Sequence, residues 1–148
     1  MAQTDLPRPM VVLGLAGLAP QALCVLLVAF SDAYRWAALA AACFYAAIIL
    51  SFLGGLWWMA ALQAGDRRAR FYILAVIPSL AAWAALLPWV VGATWPVPSL
   101  IALGALLLIS PLADRMLARS ITFPTGWLKL RATMASGLGL LSLTLAVI

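Results

Sequence analysis

Apolar residues run along this chain in five long blocks, at about 10–30, 36–63, 71–91, 97–117 and 128–148, separated by short connections that hold most of the charge. Each block approaches or exceeds the roughly 20 residues that cross a ~30 Å hydrocarbon core as a helix. The pattern therefore predicts an all-α bundle of five transmembrane helices. No connection is long enough to fold separately, so residues 1–148 are expected to form a single transmembrane domain. The second block is about 28 residues, or ~42 Å of helix, and must tilt or project beyond the bilayer.

Proline interrupts three of the blocks, and each time a polar residue adjoins it: Pro20 with Gln21, Pro78 with Ser79, and Pro111 after Ser110. A helical proline frees the carbonyl four residues earlier, which the adjacent side chain or a neighbouring helix can satisfy. One reading is kinks that help a small bundle pack. The other is a gap, lined by freed carbonyls and Gln21, that suits a small polar ligand or water.

Composition explains why lipid is required. Of 148 residues, 67% are hydrophobic and only 9% charged, far more apolar surface than a soluble domain of this size buries. Charge then orients the bundle. Arg8, Arg67, Arg68, Arg70, Arg115, Arg119, Lys129 and Arg131 fall on one side of the five-span layout, and only Arg35 falls on the other. The positive-inside rule places the N-terminus and both basic loops in the cytoplasm and the C-terminus outside. Asp5 offsets Arg8, so the start lacks the net positive region of a secretory signal and the first span is expected to be retained. The basic balance indicates contact with anionic lipid headgroups and not with nucleic acid.

Tyr34, Trp36, Trp89, Trp95, Phe71, Tyr72 and Trp127 lie where the layout puts the two membrane interfaces, as aromatic belts do. Trp57, Trp58 and Trp83 lie within spans, where a buried indole N–H needs a partner. Cys24 and Cys43 fall at similar depth on neighbouring helices and are expected to be small packing residues. No histidine is present to support a metal site, so neither metal nor other cofactor is expected.

Counting residues away from the turns places several small and aromatic residues together. From Ala33, Gly14 and Gly17 come level with residues 49–52. From Arg67, Gly55 comes level with Ser79, and Ser51 with Trp83. Ser51, Gly55, Trp58, Ser79, Trp83, Trp127 and Arg131 are thus the candidate lipid- or ligand-binding residues, expected to converge between the midplane and the cytoplasmic face. Simple close packing of glycine against tryptophan is the competing account. Arg131 sits deep enough to need an anion, either Asp114 or a lipid phosphate.

The stretches Leu13-Gly14-x-x-Gly17-x-x-Pro20, Ser51-Phe52-Leu53-Gly54-Gly55-x-Trp57-Trp58, Pro78-Ser79-Leu80-x-x-Trp83 and Trp127-Leu128-x-Leu130-Arg131 together resemble a small multi-pass family known as domain of unknown function 3429. Its relatives include a mitochondrial transmembrane protein in animals. The resemblance implies the helical fold and an inner-membrane location, bacterial or, in a eukaryote, mitochondrial.

The function classes narrow by what is missing. The chain has four acidic residues, all at helix ends or in loops, and no histidine, so no nucleophile–base pair can be drawn and no enzyme is expected. An ion-coupled transporter would need ionisable groups near the midplane. What remains is an accessory or assembly subunit of a larger membrane complex, binding a partner or itself and holding a lipid or quinone. The alternative is a passive conduit for a small neutral solute, acting as an oligomer.

Overall fold

The computed structural model describes residues 6–65 and 67–148; Asp5 and Asp66, two of the four acids, lie outside them. Helices follow one another as α1 (Arg8–Ala16), α2 (Ala19–Phe30), α3 (Arg35–Gln63), α4 (Ala69–Val90), α5 (Val97–Ala118) and α6 (Trp127–Leu145), with a 3-10 turn at Asp32–Tyr34 before α3. Among the described residues there are no strands. Four stretches are long and apolar enough to cross a bilayer: α1 with α2, the 3-10 turn with α3, α4, and α5. The 19-residue α6 is not among them, because Lys129 and Arg131 occupy its first two turns.

The first predicted span is two helices. Pro20 cannot continue the hydrogen-bond ladder, and the chain breaks at Gly17–Leu18. Tyr45 on α3 secures the break by donating its hydroxyl proton to the Gly17 carbonyl at 2.5 Å. Beyond it, α1 has no buried residue and packs chiefly on α6.

At Pro111 the expected compensation is present: the Ser110 hydroxyl donates to the Leu107 carbonyl, the one that proline frees, at 2.8 Å. Both α4 and α5 run through their internal prolines without ending.

Two antiparallel pairs build the bundle. The α3/α4 pair meets at Gly54, where a Cβ would collide with the Ala75 carbonyl oxygen, and at the T-shaped ring pairs Trp58–Tyr72 and Phe44–Trp89. The α5/α6 pair meets at Gly104 and Gly139; a Cβ on Gly139 would lie 2.9 Å from the Gly104 carbonyl oxygen. Such small residues let backbones approach where lipid supplies no hydrophobic drive. The core between the pairs is built from α3 and α5, with Leu50, Leu53, Leu100, Leu103 and Leu107 almost fully buried.

Antiparallel order brings the α3–α4 loop and the α5–α6 loop to one end of the bundle, where Arg67, Arg70, Arg115, Arg119 and Lys129 are exposed. Leu6 reaches the Gly126 turn at this same end. At the other end Arg35 donates to the carbonyl oxygens of Val28 and Ile148. The described basic residues are thus segregated along the bundle as the five-block layout requires.

Candidate functional site

The most unusual chemistry lies where α3, α5 and α6 meet. Asp114 on α5 and Arg131 on α6 are 3% and 4% exposed. Arg131 Nη2 lies 3.2 Å from Asp114 Oδ2, and Trp57 on α3 donates its indole N–H to Asp114 Oδ1 at 2.8 Å. One carboxylate therefore ties three helices together. Of the two anions that the sequence left open for Arg131, the structure supplies Asp114. The pair is not a bidentate fork, since Arg131 Nε and Nη2 and Asp114 Oδ2 find no hydrogen-bond partner. Burial without full hydrogen bonding makes such a pair weak as a source of stability but costly to break.

Arg131 also separates two cavities. On one side is an apolar chamber of about 280 Å³ between α1, α3 and α6, reached past Met10 and Phe52 and bounded by Gly14, Leu56 and Met134. On the other is an opening of about 340 Å³ toward the basic end, bounded by Trp57, Gln63, Asp114 and Phe123. Trp127 and Leu56 border both, and Trp127 stacks on Phe123 with centroids 6.2 Å apart. The chamber is lined by apolar side chains apart from Arg131 and the Trp127 indole.

The other candidate residues lie elsewhere. Ser51, Gly55, Trp58, Ser79 and Trp83 are all exposed, Trp58 at 43% and Trp83 at 63%, so they do not converge on an interior cavity with Trp127 and Arg131. They do share a surface. Ser51, Gly55 and Trp58 recur at helical spacing on α3, as Ser79 and Trp83 do on α4, and they line the outer α3/α4 seam between the Trp58–Tyr72 and Phe44–Trp89 ring pairs.

The expected level pairs also shift by about one turn. Gly54 faces Ala75 and Trp58 meets Tyr72, so Ser51 comes level with Ser79 and not with Trp83. The reversal centres near Gly65, whose left-handed φ of 66° turns the chain, and not on Arg67. Gly54, not Gly55, makes the close approach: a Cβ on Gly55 would meet nothing within 4 Å.

Sequence reasoning weighed Asp114 only as a partner for Arg131 and missed its bond to Trp57. The available signal was an indole within a span and a carboxylate near a membrane face, each needing a partner. Gln21 is fully buried and donates to Ser142 Oγ at 2.9 Å, while its Oε1 finds no hydrogen-bond partner. Cys24 and Cys43 are buried and unbonded to each other. Among the described residues, no group of three or more His, Cys, Asp or Glu could hold a metal ion.

Apolar spanning helices around a buried ion pair define an all-helical membrane protein. The chain belongs to the family described as "Protein of unknown function (DUF3429)", whose model matches residues 6–148. No curated protein and no solved structure matches it.

Proposed function

We propose that the protein is a non-enzymatic accessory or assembly subunit of a larger membrane complex, docked through the outer α3/α4 seam. The observation that carries this reading is the seam itself. Ser51, Gly55 and Ser79 leave its middle shallow while Trp58, Trp83 and Trp89 stand exposed along it. Small residues admit a partner helix closely, and exposed tryptophans supply anchors.

In this reading α6 also crosses the membrane, making five spans. Three of its hydroxyls, on Thr133, Ser142 and Thr144, donate to carbonyls one turn back, which lowers their cost in lipid. The basic end and the N-terminus face the cytoplasm or, in a mitochondrion, the matrix, in an inner membrane. The chamber under Arg131 holds a lipid tail or a quinone. The alternative, a passive conduit, would need a polar path past Gln21 and Ser51. Burial of Gln21 against Ser142, with Ser51 on the outer face, speaks against it.

The test is to extract tagged protein in native lipid particles and identify co-purifying proteins and small molecules by mass spectrometry, for the wild type and for Gly55→Leu. The expected result is a stoichiometric membrane partner that Gly55→Leu loses, since a side chain at position 55 meets nothing in its own chain. A lone oligomer carrying a defined solute would replace this reading with transport.

A further inference from the structure

We propose that the groove between α4 and α5 at the basic end binds the phosphate headgroup of an anionic phospholipid, with one acyl chain lying along its apolar floor. The groove measures about 330 Å³; Arg70, Arg119 and Ser120 stand at its mouth and Ile73, Ile77 and Met116 line it further down. It is separate from the chamber beside Arg131, with which it shares no residue.

The two arginines have different physical settings. Arg119 caps the C-terminal end of α5, where a cation already answers the negative end of the helix dipole. Arg70 is the second residue of α4, at the positive end of a helix with no acidic residue in its first turn. A cation there is locally unfavourable unless an anion joins it. Among the described residues neither Arg70 nor Arg119 meets a carboxylate. The Arg70 guanidinium instead lies 5.0 Å from the centre of the Phe71 ring, beside the groove mouth.

Two guanidiniums that meet no carboxylate among the described residues, with a hydroxyl, above an apolar floor complement a phosphodiester with its chain. Ile73, Ile77 and Met116 are all about half exposed or more, and in a bilayer only lipid or a partner can cover them. Charge complementarity selects the anionic lipid. Basic pockets between helices at a cytoplasmic face are the usual form of such sites.

The inference rests on the membrane reading but not on the accessory role. Its test is native mass spectrometry of the whole protein in neutral detergent, titrated with dioleoyl phosphatidylglycerol. Arg70→Ala/Arg119→Ala should weaken lipid retention about 30-fold, the effect of two headgroup contacts of ~1 kcal/mol each. Arg67→Ala/Arg115→Ala, which removes the same charge outside the groove, should change it little. Ile73→Ser/Ile77→Ser, at two exposed positions, should weaken it several-fold.

Equal losses in the two arginine pairs would reduce the effect to net charge and overturn the site. Inorganic phosphate binding as tightly as the lipid would make it a free-anion site and overturn the lipid assignment. A wild type that keeps no dioleoyl phosphatidylglycerol adduct in this titration would overturn the site, whereas the accessory role fails only if no protein partner co-purifies.

Discussion

Replacing Arg131 with methionine leaves the Asp114 carboxylate buried at 3% exposure with a single hydrogen bond, from Trp57. Removing one member of a buried ion pair typically costs ~3–5 kcal/mol, most of it the unpaired charge that stays behind. Asp114→Asn keeps an acceptor for the Trp57 indole but strands the guanidinium, and should cost about the same. The double variant Asp114→Asn/Arg131→Met strands neither charge. Because Arg131 Nε and Nη2 and Asp114 Oδ2 make no hydrogen bonds, the native pair gains little beyond Coulomb attraction. The double variant should therefore fall within ~1 kcal/mol of the wild type, or exceed it, giving a coupling of several kcal/mol.

The assay is reversible unfolding in mixed micelles, or thermal inactivation of a fluorescent fusion in one detergent, for all four proteins of the cycle. Full additivity, with the double variant as unstable as the two singles together, would refute the reasoning. Arg131 would then act by reaching lipid phosphate, and Asp114 would be incidental to it.

Gly54→Val should destabilise by ~2–3 kcal/mol or more because the new side chain meets the Ala75 carbonyl across α3/α4, whereas Gly55→Val should lie within ~0.5 kcal/mol of the wild type; the same unfolding assay ranks them. Gly139→Ala should cost ~1–3 kcal/mol, since its Cβ would sit 2.7 Å from Leu108 Cγ and 2.9 Å from the Gly104 oxygen. Ser110→Ala should lose ~1 kcal/mol by leaving the Leu107 carbonyl unpaired, and adding Pro111→Ala should recover it by restoring the backbone donor. Failure of that rescue would show that the hydroxyl acts through something other than the freed carbonyl.

The bounds of the helices were legible in the chain; rotation about their axes and the exact register between neighbours were not. The helix bounds of α3, α4 and α5 match the predicted blocks to within two residues, because block length and flanking charge record where each apolar helix begins and ends. Which side of α3 faces inward is not recorded, since the helix is apolar around most of its circumference and has no polar stripe to mark an outer face. That is why the pattern does not separate Gly54, which meets Ala75, from Gly55, which meets nothing, or show that Ser79 and Trp83 stand outside. The Gly17–Leu18 break exceeded the kink that Pro20 implied, and α1 beyond it has no buried residue.

By itself the sequence determined that this protein is helical, that its helices are long and apolar enough to cross a membrane, and that the carbonyl freed at Pro111 needs a nearby donor such as Ser110. These follow from composition and from interactions within about one turn. Only the tertiary structure decided that Trp57, Asp114 and Arg131, on three different helices, share one buried carboxylate. The same holds for Gly104 fitting against Gly139 and for the candidate residues dividing between an inner chamber and an outer seam. Those outcomes depend on helix rotation and on the register between distant segments, which close packing of backbone against backbone fixes and local pattern does not.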